Sequence, residues 1–180
     1  MKDYKTLILI CSLLLAASTV HAEKITVAAA ADLKFAMDEI VTVFKKANPK
    51  EQVEVIYGSS GKFKTQIQQG APYDLYFSAD MAFPQELIKN GFAASSHVTQ
   101  HAVGRIVLWS GNEAASRMTL ASLADPSINR IAIANPKHAP YGQRAEEALR
   151  ASGLWEKIET KMVYGENVGQ TAQFVQTGNA

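Results

Sequence analysis

The sequence predicts an α/β protein built of mostly parallel sheets flanked by helices. Three observations predict it. Short apolar runs alternate with stretches of helical spacing from Lys24 to the end. Glycine, asparagine and serine punctuate nearly every change from one to the other. A polar connection at 93–102 (AASSHVTQHA) then divides the chain into two halves with the same strand–helix grammar.

The elements follow in order. Lys24 to Ala30 (KITVAAA) predicts a buried strand. Apolar residues at 33, 36, 37, 40, 41 and 44 predict a helix over Leu33 to Lys46, with Asp32 as its N-cap and Asn48-Pro49 as its stop. Val53 to Tyr57 predicts a second strand. Gly58-Ser59-Ser60-Gly61 is a tight turn into a short helix, Lys62 to Gln69, that Gly70 closes. Asp74 to Ser78 predicts a third strand, and a helix beginning at Asp80 is stopped by Asn90-Gly91. In the second half, Gly104 to Trp109 and Ile131 to Ala134 predict strands, with a short one at Val163-Tyr164. Helices are expected over Tyr141 to Ser152, with Gly153 after it, and Gly169 to Thr177, with Gly178 after it.

The first 22 residues stand apart. Lys2 and Lys5 form a positive n-region, Thr6 to Ala17 an apolar run, and Val20-His21-Ala22 a small-residue cleavage site. A cleaved signal peptide is expected, hence a periplasmic protein, because the run is shorter than the roughly 20 residues a membrane span needs. The only cysteine, Cys11, lies inside that run, so the mature chain has no disulfide, thiolate ligand or cysteine nucleophile. Of 18 basic and 17 acidic residues, Lys2, Lys5 and Asp3 fall in this segment, which leaves 16 of each. That balance, with no basic run, argues against nucleic acid or anionic lipid as partner.

Four strand-to-helix junctions share one chemical feature: Ala31-Asp32, Ser59-Ser60-Gly61, Pro140-Tyr141-Gly142 and Asn167-Val168-Gly169. Each sets first-turn N–H groups, hydroxyls or small residues at the positive end of a helix. Several such ends together would hold an anion without arginine or lysine. In parallel α/β sheets they lie at the carboxyl ends of the strands, where ligands bind. Singly, each is also a helix cap, a turn or a packing residue.

Four stretches carry a resemblance: KITVAAAADLKFAMDEI (24–40), YGSSGKFKTQIQQGAPYDLYFSAD (57–80), IAIANPKHAPYGQRAEEALRASGLW (131–155) and ENVGQTAQFVQTGNA (166–180). They resemble the periplasmic molybdate-binding proteins that feed ABC importers. The resemblance implies a two-lobed periplasmic-binding-protein fold, the venus flytrap, with lobe I over 23–100 and lobe II over 101–180. Lobe II is expected to be incomplete: Gly178-Asn179-Ala180 reads as a helix end leading into a further strand, and the C-terminal return to lobe I is missing. The resemblance also implies a monomeric, non-enzymatic protein with no cofactor, whose ligand is molybdate or tungstate and whose partner is a membrane permease.

Residue by residue, Ser60 matches the family's ligand serine, donating through its hydroxyl and N–H. Val168 matches a position that donates its backbone N–H. Asp32 sits where many relatives have serine. A carboxylate there repels a dianion unless it turns away to cap its own helix, so Asp32 is expected to serve through its N–H. Tyr141 sits where some relatives have alanine and supply a tyrosine hydroxyl from further along the chain, a donor that Tyr141 replaces. A site made only of donors accepts a tetrahedral dianion and rejects protonated phosphate, whose hydrogen would face a donor.

Other readings compete. Sulfate or phosphate would use the same fold. A serine hydrolase would need Ser60 or Ser59 as nucleophile, but the turn is not G-x-S-x-G around either, and His138 is the only candidate base. His97 and His101, four apart in a polar connection, would be a metal pair without a third ligand nearby.

Overall fold

The computed structural model describes residues 24–94, 98–111 and 117–180. The expected signal segment and His97 lie outside them.

The first half is a three-stranded parallel sheet in the order β2-β1-β3. β1 (Lys24–Ala30) is central, β2 (Gln52–Gly58) runs beside its whole length, and β3 (Leu75–Phe77) pairs with Val27–Ala29 on the other side. A strand covered on both faces cannot alternate polar and apolar residues. The sequence Val27-Ala28-Ala29-Ala30 meets that demand and is almost wholly buried. Val27 and Ala29 face α1 (Lys34–Ala47), meeting Met37 among Leu33, Val41, Val53, Val55, Tyr57 and Phe77. On the opposite face, methyl side chains let α2 (Ser60–Gln68) approach β1 closely. α3 (Ala82–Lys89) packs on α2.

The second half holds two parallel strands, β4 (Ile131–Ala134) and β5 (Met162–Gly165), paired from Ile131–Met162 to Ala134–Gly165. Between them come α4 (Pro140–Ala151) and the single turn α5 (Trp155–Ile158). α6 (Val168–Gln176) follows β5. Leu123, Ile131, Ile133, Leu149, Leu154, Trp155 and Ile158 form the core there. Gly91 and Gly153, at φ 79° and 67°, end the helices before them in the left-handed conformation that favours glycine.

Two expectations are corrected. Gly104 to Trp109 is not a strand: residues 98–110 carry no regular structure, and Val103 and Val107 are exposed. β-branched residues favour a strand only where a neighbouring edge accepts their backbone bonds, and no described strand pairs with this segment. Asp32 does not cap the first helix. A 3-10 turn, Ala31–Leu33, intervenes between β1 and α1, and neither it nor α1 has a side-chain cap. Among the described residues no helix is long and apolar enough to cross a membrane.

Candidate functional site

All five strands among the described residues are parallel within their sheets, so in each half the junctions gather at the carboxyl ends. The two gatherings meet.

At the first junction the exposed Asp32 turns across to the other half. Its Oδ2 accepts a hydrogen bond from Tyr141 Oη at 2.9 Å, between residues 109 apart in sequence. The start of α6 packs on the same turn, and a Cβ added to Gly169 would lie 3.7 Å from the Ala31 methyl.

At the second junction Ser59 is the extended N-cap residue of α2. Ser59 and Ser60 are the only buried polar residues among those described, at 4% and 1% exposure. Two donors converge on the His138 carbonyl: Ser59 Oγ at 2.6 Å and the Gly61 N–H at 2.9 Å. The approach is close, since a Cβ on Gly61 would fall 2.5 Å from that oxygen. Ser60 faces inward. Its Oγ accepts the Ala79 N–H at 3.0 Å, and its carbonyl accepts Tyr76 Oη at 2.8 Å. A hydroxyl has one proton and two lone pairs, so Ser60 Oγ, already accepting, keeps its proton to give.

His138 Nδ1 lies 2.9 Å from Ser59 Oγ. The serine proton is committed to the carbonyl, so Nδ1 is the donor in this pair. That geometry disfavours hydrolysis: the nitrogen within reach of Ser59 carries a proton and cannot act as its base. Burial holds the imidazole below its usual range, Glu166 opposes this, and Lys62 adds to it. The sign follows. Between the lowered folded pKa and the unfolded value near 6.5, the unfolded chain binds a proton that the folded chain refuses. The stabilisation is therefore present above pH 6.5 and lost on acidification. Melting temperature is expected to fall between pH 7.5 and 5 more in the parent than in His138→Asn; parallel slopes in thermal melts would refute this.

The third junction opens α4 with Pro140 at its first position, where the missing N–H costs nothing. The Tyr141 phenol is pushed up to about 12, by burial first and then by Asp32. At the fourth junction Asn167 caps α6, its side chain accepting from the Gln170 N–H at 3.0 Å. Val168 thereby holds a first-turn position, where backbone N–H groups lack intrahelical acceptors. Two ion pairs border the seam: Lys62 with Glu166, and Arg144 with Asp80 at 3.1 Å. Both pairs keep at least one half-exposed partner, so each adds little stability.

The structure thus joins Asp32 directly to Tyr141 and brings the start of α6, where Val168 sits, to the turn that holds Asp32. Ser60 lies between Ser59 and Gly61, which both bond to the loop before Tyr141. A cavity of about 940 Å³ is a separate feature. Tyr141 and Val168 border it, but Ile106, Leu108, Trp109 and Val175 make it apolar, and neither Ser60 nor Asp32 lines it. Nothing in the sequence marked Arg144 or its ion pair with Asp80, whereas His138, in sequence only a candidate base, joins the seam through its carbonyl and its ring. His101 sets its ring edge-on to Phe77 at 5.8 Å. Among the described residues no three His, Cys, Asp or Glu side chains could hold a metal ion together.

Comparison with known proteins agrees with this architecture. The chain is 37% identical over 166 residues to the molybdate-binding protein ModA of Azotobacter vinelandii, and 40% identical over 128 residues to that of Rhodobacter capsulatus. These matches cover 92% and 71% of this chain but 66% and 50% of those proteins, so the chain spans less than two thirds of their length. The solved periplasmic molybdate-binding protein of Azotobacter vinelandii superposes with a TM-score of 0.77 at 32% identity, covering 87% of this chain and 68% of that one. The fold is that of the periplasmic binding proteins. Residues 25–180 match the family described as bacterial extracellular solute-binding protein, and the chain belongs to that family.

Proposed function

We propose that this protein captures a tetrahedral oxyanion, molybdate or tungstate, between lobes at 23–100 and 101–180 and delivers it to the permease of an ABC importer. It works as a monomer in the periplasm after residues 1–22 are removed, and it catalyses no reaction. The observation that carries the proposal is the meeting of four helix-initiating junctions across the seam, through Asp32–Tyr141, Ser59 and Gly61 with His138, and Ala31 with Gly169.

The ligand set is Ser60 through its hydroxyl and N–H, Asp32 and Val168 through N–H groups, and Tyr141 through its hydroxyl. These groups are neutral donors that replace a hydration shell without introducing a cation. The names of the relatives in Azotobacter and Rhodobacter support molybdate as the cargo.

Isothermal titration of the protein with molybdate, tungstate, sulfate and phosphate tests the reading. Heat is expected from molybdate and tungstate, with sulfate and phosphate weaker. No heat from either of the first two would sink it.

A further inference from the structure

Asp32 is the one carboxylate in a ligand set otherwise made of donors, and it has a defined partner. Tyr141 has a single hydroxyl proton, which it gives to Asp32 Oδ2 at 2.9 Å. The position of that hydroxyl is built from a second side as well. Gly104 leaves it room, since a Cβ there would lie 2.5 Å from Tyr141 Oη. The Tyr141 hydroxyl is therefore held at Asp32, where the first and third junctions meet.

We propose, on the reading of this cleft as an oxyanion site, that Asp32 is an affinity-setting residue: its carboxylate is an internal competitor that takes the Tyr141 proton a bound dianion would otherwise accept. An arriving dianion meets a like charge and finds its hydroxyl donor engaged. Binding through Tyr141 then exchanges one acceptor for another, so the net return from that hydrogen bond is small. Removing the carboxylate frees the donor and lowers the repulsion. Asp32 is solvent-exposed, which screens the charge and keeps the effect moderate.

A double-mutant cycle on the full chain tests this, with molybdate as the probe in calorimetry. Asp32→Ala is expected to bind molybdate roughly threefold to tenfold more tightly than the parent. Alanine offers no new donor, so a gain cannot come from an added hydrogen bond. Tyr141→Phe should weaken binding in both backgrounds, by a clearly larger factor in Asp32→Ala than in the parent. Ultraviolet titration of the phenol, isolated as the difference against Tyr141→Phe, gives a readout independent of any ligand. The midpoint should fall from about 12 part of the way toward 10 in Asp32→Ala, burial accounting for what remains. An unmoved midpoint, an Asp32→Ala affinity equal to or below the parent's, or the same Tyr141→Phe penalty in both backgrounds would each overturn the proposal. A parent that takes up none of molybdate, tungstate, sulfate or phosphate would overturn the site assignment itself, and this proposal with it.

Discussion

Ser60→Ala is expected to weaken molybdate binding by about 1.5–3 kcal/mol, roughly tenfold to 150-fold in Kd. The size follows from where the hydroxyl sits. At 1% exposure Ser60 has no ready access to water, and its oxygen already accepts from the Ala79 N–H. Its proton is thus directed by the fold, so an anion gains a positioned donor at little further ordering cost. Alanine removes that donor and also strands the Ala79 N–H, so some loss of thermal stability should accompany the loss of affinity. The two effects separate by measuring Kd by calorimetry well below the melting temperature. Affinity within twofold of the parent would remove Ser60 from the site, whatever happens to stability.

Gly142→Ala is the substitution expected to damage the fold most. Gly142 is buried in the first turn of α4, against the end of β4. A Cβ added there would lie 1.9 Å from the Ala134 carbonyl oxygen and 2.6 Å from its carbon. Both are backbone atoms, and β4 cannot retreat without straining its ladder to β5. The conflict has no flexible side chain to absorb it. Overpacking of this kind costs about 3 kcal/mol, which for a chain of this size lowers the melting temperature by roughly 6–12 °C. Gly153→Ala, where nothing lies within 4 Å but φ is +67°, isolates the backbone penalty alone and should cost less, about 1 kcal/mol. Equal melting temperatures for the parent and Gly142→Ala would show that β4 and α4 are not seated as described.

Much of this was legible in the sequence because it is local. The buried run VAAA, the short helix after the Ser59-Ser60 turn, the stops at Gly91 and Gly153 and the helix after Pro140 all follow from side-chain volume, hydrogen-bonding capacity or backbone freedom, although the structure starts those two helices earlier, at Ser60 and Pro140. What was not legible depends on partners far along the chain. The Asp32 carboxylate had two places to go, its own helix or the other half, and a tyrosine 109 residues away decided between them. The seam between Ser59 and His138 joins residues 79 apart and leaves no periodic trace. Residues 104–109 show the opposite failure, since their composition favours a strand and the pairing that would make one is absent among the described strands. The four-residue helix Trp155–Ile158 is too short to repeat an apolar spacing, and it forms because Trp155 and Ile158 are buried in the second core.

The fit at Gly142 also constrains how the protein moves. With the first turn of α4 lodged against the backbone of β4, the helix cannot slide along the strand without collision. Tyr141 is the neighbouring residue and shares that restraint. Moving the Tyr141 backbone therefore carries strand and helix together, as pivoting of a preassembled block and not shear between layers, while its hydroxyl can still turn to a new acceptor by side-chain rotation alone.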